Sequence, residues 1–152
     1  MSQDAYFDGR ILLADPLELV HILYEHTLTM VRDGRRYLAE GNIPARGRSI
    51  TRAIAALDEL DGSLDRRAGG SISRNLAALY QYMRLRLLTA NIQQQDAPLK
   101  EVESLLATLG EAWSAIRTSN QPVEREMAAV GAAFGAFAAE PQGEYASQGW
   151  SA

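Results

Sequence analysis

The sequence predicts an all-α protein: an antiparallel up-down-up-down four-helix bundle with an N-terminal lead-in segment and a short fifth helix near the C-terminus. Apolar residues recur with helical spacing, proline is sparse, and runs of β-branched residues are absent. Four amphipathic stretches of about 20 residues are joined by short connections, which favours an up-and-down bundle.

The stretch DPLE opens the first predicted helix. Asp15 can cap the helix, Pro16 suits its first position, and Glu18 completes a capping box. The core stripe consists of residues three or four positions apart, with one wider step: Val20, Leu23, Thr27, Val31 and Leu38. Gly41 and Asn42 are expected to end this helix.

The second predicted helix starts near residues 44–46 and has one apolar side. That side comprises Ile50, Ile54, Leu57, Leu60 and Leu64. The stretch AGGS at 68–71 is expected to end this helix and to start the third, which runs to about Gln94. An arginine cluster of the second helix, Arg46, Arg48 and Arg52, is interpreted as a solvated face.

The third helix carries two apolar stripes where a surface helix needs one. The first stripe is predicted to be bundle core: Leu76, Leu79, Tyr80, Met83 and Leu87. The second stripe lies roughly opposite and consists of Tyr82, Leu85, Leu88 and Ile92. On the first helix, residues off the main stripe repeat this pattern: Leu19, Ile22, Met30 and Tyr37.

The fourth helix is expected to start at Asp96 and to end before Asn120 and Pro122. Beyond it, large apolar residues recur at steps of four and three, a spacing typical of a helix that packs on another helix. They are Val123, Met127, Val130, Phe134 and Phe137. The predicted organisation is therefore a covering segment at 1–14, a bundle at 15–120, an amphipathic helix at 121–140 and a flexible tail at 141–152.

Composition and motifs argue against several functional classes. The absence of cysteine excludes disulfides, thiol catalysis and thiolate metal sites, and it fits a reducing cytoplasm. The net charge of −4 does not favour nucleic-acid binding, and the N-terminus shows no secretory signal. His21 and His26 are spaced badly for one metal ion. We therefore expect no cofactor, no catalytic set and no membrane insertion.

The surplus apolar surface has two compatible interpretations. The ends of the chain can cover it, or it forms a groove for a partner helix or an extended segment. Both hold if a chain end covers the groove until a partner displaces it. A protein of another class, a structural bundle that self-associates without a client, remains the alternative.

Two long motifs then connect the chain to a known family. The segment from Tyr6 to Glu25 reads Y-x8-DPLELVHILYE, and the segment from Ser63 to Asn91 reads SLD-x2-AGG-x-I-x2-NLAALY-x-YM-x2-RL-x2-AN. Together with AWSAI at 112–116, they resemble the FliS family of flagellar export chaperones over about residues 5–117. Where that family has Asp-Gly, this chain has Glu25 and His26.

The resemblance implies a cytoplasmic bundle that binds the disordered C-terminal segment of flagellin. Such a chaperone prevents premature polymerisation and delivers flagellin to the flagellar type III export apparatus. The implied partners are thus flagellin and the export gate. A weak homodimer is a separate expectation, which follows from the outer apolar faces of the helices. The client-binding or groove-covering candidates are Tyr6, Ile11, Leu12, Leu19, Ile22, Met30, Tyr82, Leu85, Leu88 and Ile92.

Overall fold

A computed structural model describes residues 16–118 of the chain. They form four helices: α1 (Pro16–Ala39), α2 (Ile43–Gly62), α3 (Gly70–Gln93) and α4 (Asp96–Thr118). No strand occurs in this range, so the all-α prediction is confirmed. The predicted lead-in segment, fifth helix and tail lie outside the described residues.

The four helices surround one core. α1 packs against α2 and α4, and α3 packs against the same two helices, whereas the described helices that lie diagonally opposite have no direct backbone packing. Every residue of the first α3 stripe is buried, from Leu76 to Leu87, so that prediction is confirmed. Burial of each large side chain contributes about 1.5–3 kcal/mol to the free energy of unfolding, and burial of such stripes is the main source of the bundle's stability.

Tyr24 of α1 and Tyr80 of α3 meet across this core. Both side chains are 1% exposed, their hydroxyls form a hydrogen bond, and their ring centroids lie 6.3 Å apart. The ring of Trp113 on α4 lies 6.2 Å from that of Tyr24. Burial raises the pKa of Tyr24 to about 12 and also raises the pKa of Tyr80, so both phenols stay protonated at neutral pH.

The second helix ends earlier than predicted. Its last residue is Gly62, and Leu64 follows the helix although it still packs against the core. The reason is local hydrogen bonding, since the Ser63 hydroxyl donates to the Leu60 carbonyl and the Asp65 carboxylate accepts from backbone amides of the next turn. The expected helix end at AGGS is therefore wrong by about two turns.

The AGGS stretch instead forms the sharp entry to α3. Gly70 has φ +51°, a value that favours glycine, and the Ser73 hydroxyl donates to the Asp65 carbonyl at 2.8 Å. A Cβ added to Gly69 would lie 1.8 Å from the Ser73 oxygen and 2.8 Å from the Asp65 carbonyl oxygen. Gly69 thus permits the close backbone approach, and Gly70 permits the turn.

Ion pairs join α1 to α4. Arg35 makes two hydrogen bonds to Asp96, at 2.7 and 2.9 Å, and a third to Glu103 at 2.7 Å. The hydrogen bonds from Arg35 lower the pKa of Asp96. Burial works against the charged form of Glu103, yet hydrogen bonds from Arg35 and Arg32 lower its pKa as well. These pairs are partly exposed, so their stabilisation is modest.

Within residues 16–118, no helix is long and apolar enough to cross a bilayer.

The tyrosine pair leads to a double-mutant prediction. We expect Tyr24→Phe to lower the free energy of unfolding by about 1–3 kcal/mol, because it leaves the Tyr80 hydroxyl buried without its partner. Tyr80→Phe should cost less, because the Tyr24 hydroxyl keeps its side-chain hydrogen bond with Trp113. The double variant should regain much of that loss, since no hydroxyl then remains unpaired. Urea unfolding of the three variants measures this coupling. Additive losses would show that the two hydroxyls act independently.

A second prediction concerns Gly69. We expect Gly69→Ala to destabilise the protein by about 1–3 kcal/mol, because the added methyl group would collide with the Asp65 carbonyl oxygen and Ser73. Gly47→Ala is the matched control, since a Cβ there meets nothing within 4 Å and the residue is helical. The control should gain up to about 1 kcal/mol from helix propensity. Equal melting temperatures for the two variants would contradict this explanation.

Candidate functional site

Three large apolar residues are exposed side by side on α3. Leu85, Leu88 and Ile92 are 53%, 45% and 78% exposed. Their steps of three and four place them on one side of the helix, away from its buried stripe. We call these three residues the α3 outer face. The structure brings together three of the four residues of the predicted second stripe.

Tyr82, the fourth residue of that stripe, occupies the boundary toward α4. Its ring is half-buried against the core, and its hydroxyl donates to the Glu101 carboxylate. Burial and this hydrogen bond raise the pKa of the Tyr82 phenol. A partner can therefore reach the edge of the ring, while the hydroxyl is already engaged within the bundle.

The charged rim of the α3 outer face is paired within the protein. On the α2 side, Arg84 lies 2.9 Å from the carboxylate of Asp58. On the α4 side, Arg86 lies 2.9 Å from the carboxylate of Glu101. These pairs hold both arginines beside the apolar face without covering it. The arrangement is an apolar strip bordered by partly neutralised charge.

The structure adds Ile43, which sequence reasoning missed. Ile43 is the first residue of α2 and is 56% exposed. Arg46, one turn later, donates to the side chain and backbone oxygens of Asn91 at 3.1 and 3.3 Å, so the start of α2 lies beside the end of α3. Ile43 is thus a further exposed apolar residue at the end of the bundle where α3 ends. Because Ile43 directly precedes Pro44, the sequence indicated a connection between helices at this position, and the exposed apolar side chain was not predicted as part of a site.

Arg46 itself differs from the expectation of a solvated face. It is 5% exposed, whereas Arg48 and Arg52 are exposed as expected. The difference arises because the Arg46 guanidinium donates hydrogen bonds to Asn91 of α3. The interpretation of the cluster as one solvated face is therefore wrong for this residue.

The α1 candidates are less accessible. Ile22 is 1% exposed and Met30 is 8% exposed, and Met30 belongs to the core cluster. Leu19 is half-buried and packs against that cluster. A role of these side chains in client binding stays a prediction. The remaining candidates, Tyr6, Ile11 and Leu12, lie outside the described residues.

Metal-ligating and catalytic groups do not gather at this surface. In the part of the chain that the structure describes, no three His, Asp or Glu residues are grouped to hold a metal ion. His21 pairs through Nε2 with Glu25 at 3.1 Å, one helical turn away. The geometry of the site is that of a binding surface, with apolar side chains on a rigid helix and a polar border.

Comparison with known proteins agrees with the architecture. The sequence model of the family described as flagellar protein FliS matches residues 1–120. The flagellar secretion chaperone FliS of Salmonella typhimurium is 34% identical over 72% of this chain and 82% of its own length. The flagellar secretion chaperone FliSB of Pseudomonas aeruginosa is 31% identical over 75% of this chain and 90% of its own. The FliS protein of Bacillus subtilis is 28% identical over 72% and 80%, respectively. The chain therefore belongs to the FliS family.

Proposed function

We propose that this chain is a flagellin-specific export chaperone of the bacterial cytoplasm. It binds the disordered C-terminal segment of flagellin, prevents premature polymerisation, and delivers its client to the flagellar type III export apparatus, with the export gate as its second partner. The observation that carries the proposal is the α3 outer face, an apolar surface that the bundle leaves exposed in a member of the FliS family.

The spacing of the exposed residues suits a helical or extended client. Leu85, Leu88 and Ile92 extend over two turns of α3, and Ile43 is a further exposed apolar residue at the start of α2. An amphipathic client helix laid along this surface would bury its own apolar side while closing its backbone hydrogen bonds internally. Ordering the client costs several kcal/mol, which leaves an affinity suited to later release.

The paired rim predicts how salt affects this binding. Arg84 and Arg86 already interact with carboxylates of the bundle, so they add little net attraction for a charged client. Apolar burial then dominates the affinity, and such binding is insensitive to moderate ionic strength.

We further propose that residues 1–14 cover, through Tyr6, Ile11 and Leu12, a second client-binding region on α1, apart from the α3 outer face, before the client arrives. The burial of Ile22 supports this proposal. Ile22 is 1% exposed, yet it does not belong to the core cluster that joins the four helices. A covering segment over this side of α1 would account for its burial, and the client would displace it.

The proposed bundle topology is up-down-up-down, with the fold domain at residues 15–120. Two contacts support it. Arg35, near the end of α1, binds Asp96 at the start of α4, and Arg46, near the start of α2, binds Asn91 near the end of α3. Contacts between opposite ends are those of antiparallel neighbours. This topology places α3 so that its outer side faces away from the other helices.

Calorimetry with a synthetic flagellin C-terminal peptide tests the function. The wild-type chain should bind the peptide in a one-to-one complex, with added helical circular dichroism on mixing. The variant Leu85→Gln/Leu88→Gln/Ile92→Gln should bind at least about 100-fold more weakly, because each lost apolar contact is worth about 1 kcal/mol or more. Its melting temperature should change little, because exposed side chains contribute little to folding stability.

The matched control is Lys100→Gln/Thr108→Gln, which alters two exposed positions of α4. It should bind like the wild type. No heat with the wild type, combined with purely additive circular dichroism, would refute the chaperone proposal for this client. Sedimentation over a range of concentrations covers the alternative: a stable wild-type dimer that the triple variant dissolves would instead indicate self-association through the α3 outer face.

A further inference from the structure

A cleft between α1 and α4 lies on a different side of the bundle from the α3 outer face. Its volume is about 300 Å³, and its apolar floor includes Tyr24, Leu28 and Leu106. His21 lines one end, with a buried Nδ1 atom that has no hydrogen-bond partner in the described structure. The apolar floor of the cleft favours an apolar occupant.

Small residues of α4 create the space. Ala107, Gly110 and Ser114 line the cleft, and a Cβ added to Gly110 would meet nothing within 4 Å. An apolar cavity of about 150 Å³ accommodates one benzene ring, so the cleft has room for about two aromatic side chains. Side chains of the four described helices leave this volume unfilled.

The chain that follows α4 has the matching pattern. α4 ends at Thr118, close to the end of the cleft lined by Ser114. A connection at residues 119–122 would have the length found in helical hairpins, about two to five residues, and Pro122 suits a helix start. Beyond it, apolar residues at steps of four and three run from Val123 to Phe137. The family match ends at residue 120, so this segment lies beyond the matched range.

The number of residues from the turn places Phe134 level with the cleft. In an antiparallel helical hairpin, residues equally distant from the turn lie level, because both helices rise about 1.5 Å per residue. Counting back from Thr118 and forward from Val123 sets Val130 level with Glu111 and Phe134 level with Ala107. Phe134 is therefore at the height of the cleft's small residues.

We propose that residues 123–137 form a helix that packs antiparallel to α4 in the α1–α4 cleft. Phe134 fills the space beside Ala107 and Gly110, and Met127 covers the end near Ser114 and His21. The cleft is then part of an enlarged core that belongs to this chain, and a separate client surface remains on α3. Gly131 and Gly135 weaken the segment as an isolated helix by about 1 kcal/mol each, so it needs this contact to be stable.

Cysteine cross-linking tests the placement, because the chain has no cysteine of its own. The test variant is Val130→Cys/Gly110→Cys, and the matched control is Val130→Cys/Ala112→Cys. Both partner positions flank the level of Glu111, but they lie about 200° apart around α4. Gly110 faces the cleft, whereas Ala112 does not line it. A disulfide needs Cα atoms within about 4.4–6.8 Å, so it can report one side of α4.

Under mild oxidation, the Gly110 pair should close within the monomer and lose both free thiols, while the Ala112 pair stays reduced. Adding Phe134→Ala should lower the yield of the Gly110 cross-link. Preferential closure of the Ala112 pair, closure only between molecules, or closure of neither pair would overturn the proposal. Circular dichroism of the reduced variants checks folding. Met127→Cys/Ser114→Cys repeats the test without altering Gly110, and the same monomeric cross-link is expected.

Discussion

The contact between Tyr24 and Tyr80 lies within the buried apolar core on which the arrangement of the four helices depends. α1 and α3 do not pack directly on each other, so these two side chains connect helices that are otherwise held together through α2 and α4. The Tyr80 hydroxyl pairs with the Tyr24 hydroxyl, which also has a side-chain hydrogen bond with Trp113, so these contacts favour one rotation of each helix about its axis. With Tyr80 turned inward, helical geometry turns Leu85 and Ile92 outward. The core contact therefore determines which residues form the binding surface.

Helical periodicity was sufficient to predict the described helices and the buried stripe of α3, because the spacing of apolar residues along a helix indicates which side is buried. It did not predict the end of α2, since Leu64 continues the apolar period while Ser63 and Asp65 turn the chain by hydrogen bonds. It also could not distinguish Met30, which is buried, from Leu88, which is exposed. The spacing of residues within one helix does not determine which neighbouring helix covers each of its sides.

The functional proposal follows from a division of the apolar surface. Residues of the core stripe stabilise a rigid scaffold, and the α3 outer face offers apolar contact area on that scaffold with its bordering arginines already paired. A rigid surface loses little conformational entropy on binding, so the ordering cost falls on the disordered client. The α1–α4 cleft, by contrast, has residues 123–137 of this chain as its proposed occupant, so the two apolar regions have separate proposed occupants.

Methyl NMR of the full chain with the flagellin C-terminal peptide tests the central claim most directly. The account predicts that the methyl signals of Leu85, Leu88 and Ile92 shift in proportion to bound peptide, while those of the core residue Leu87 change little. Shifts confined to Leu28 and Leu106, in the α1–α4 cleft, with an unchanged α3 outer face would contradict it.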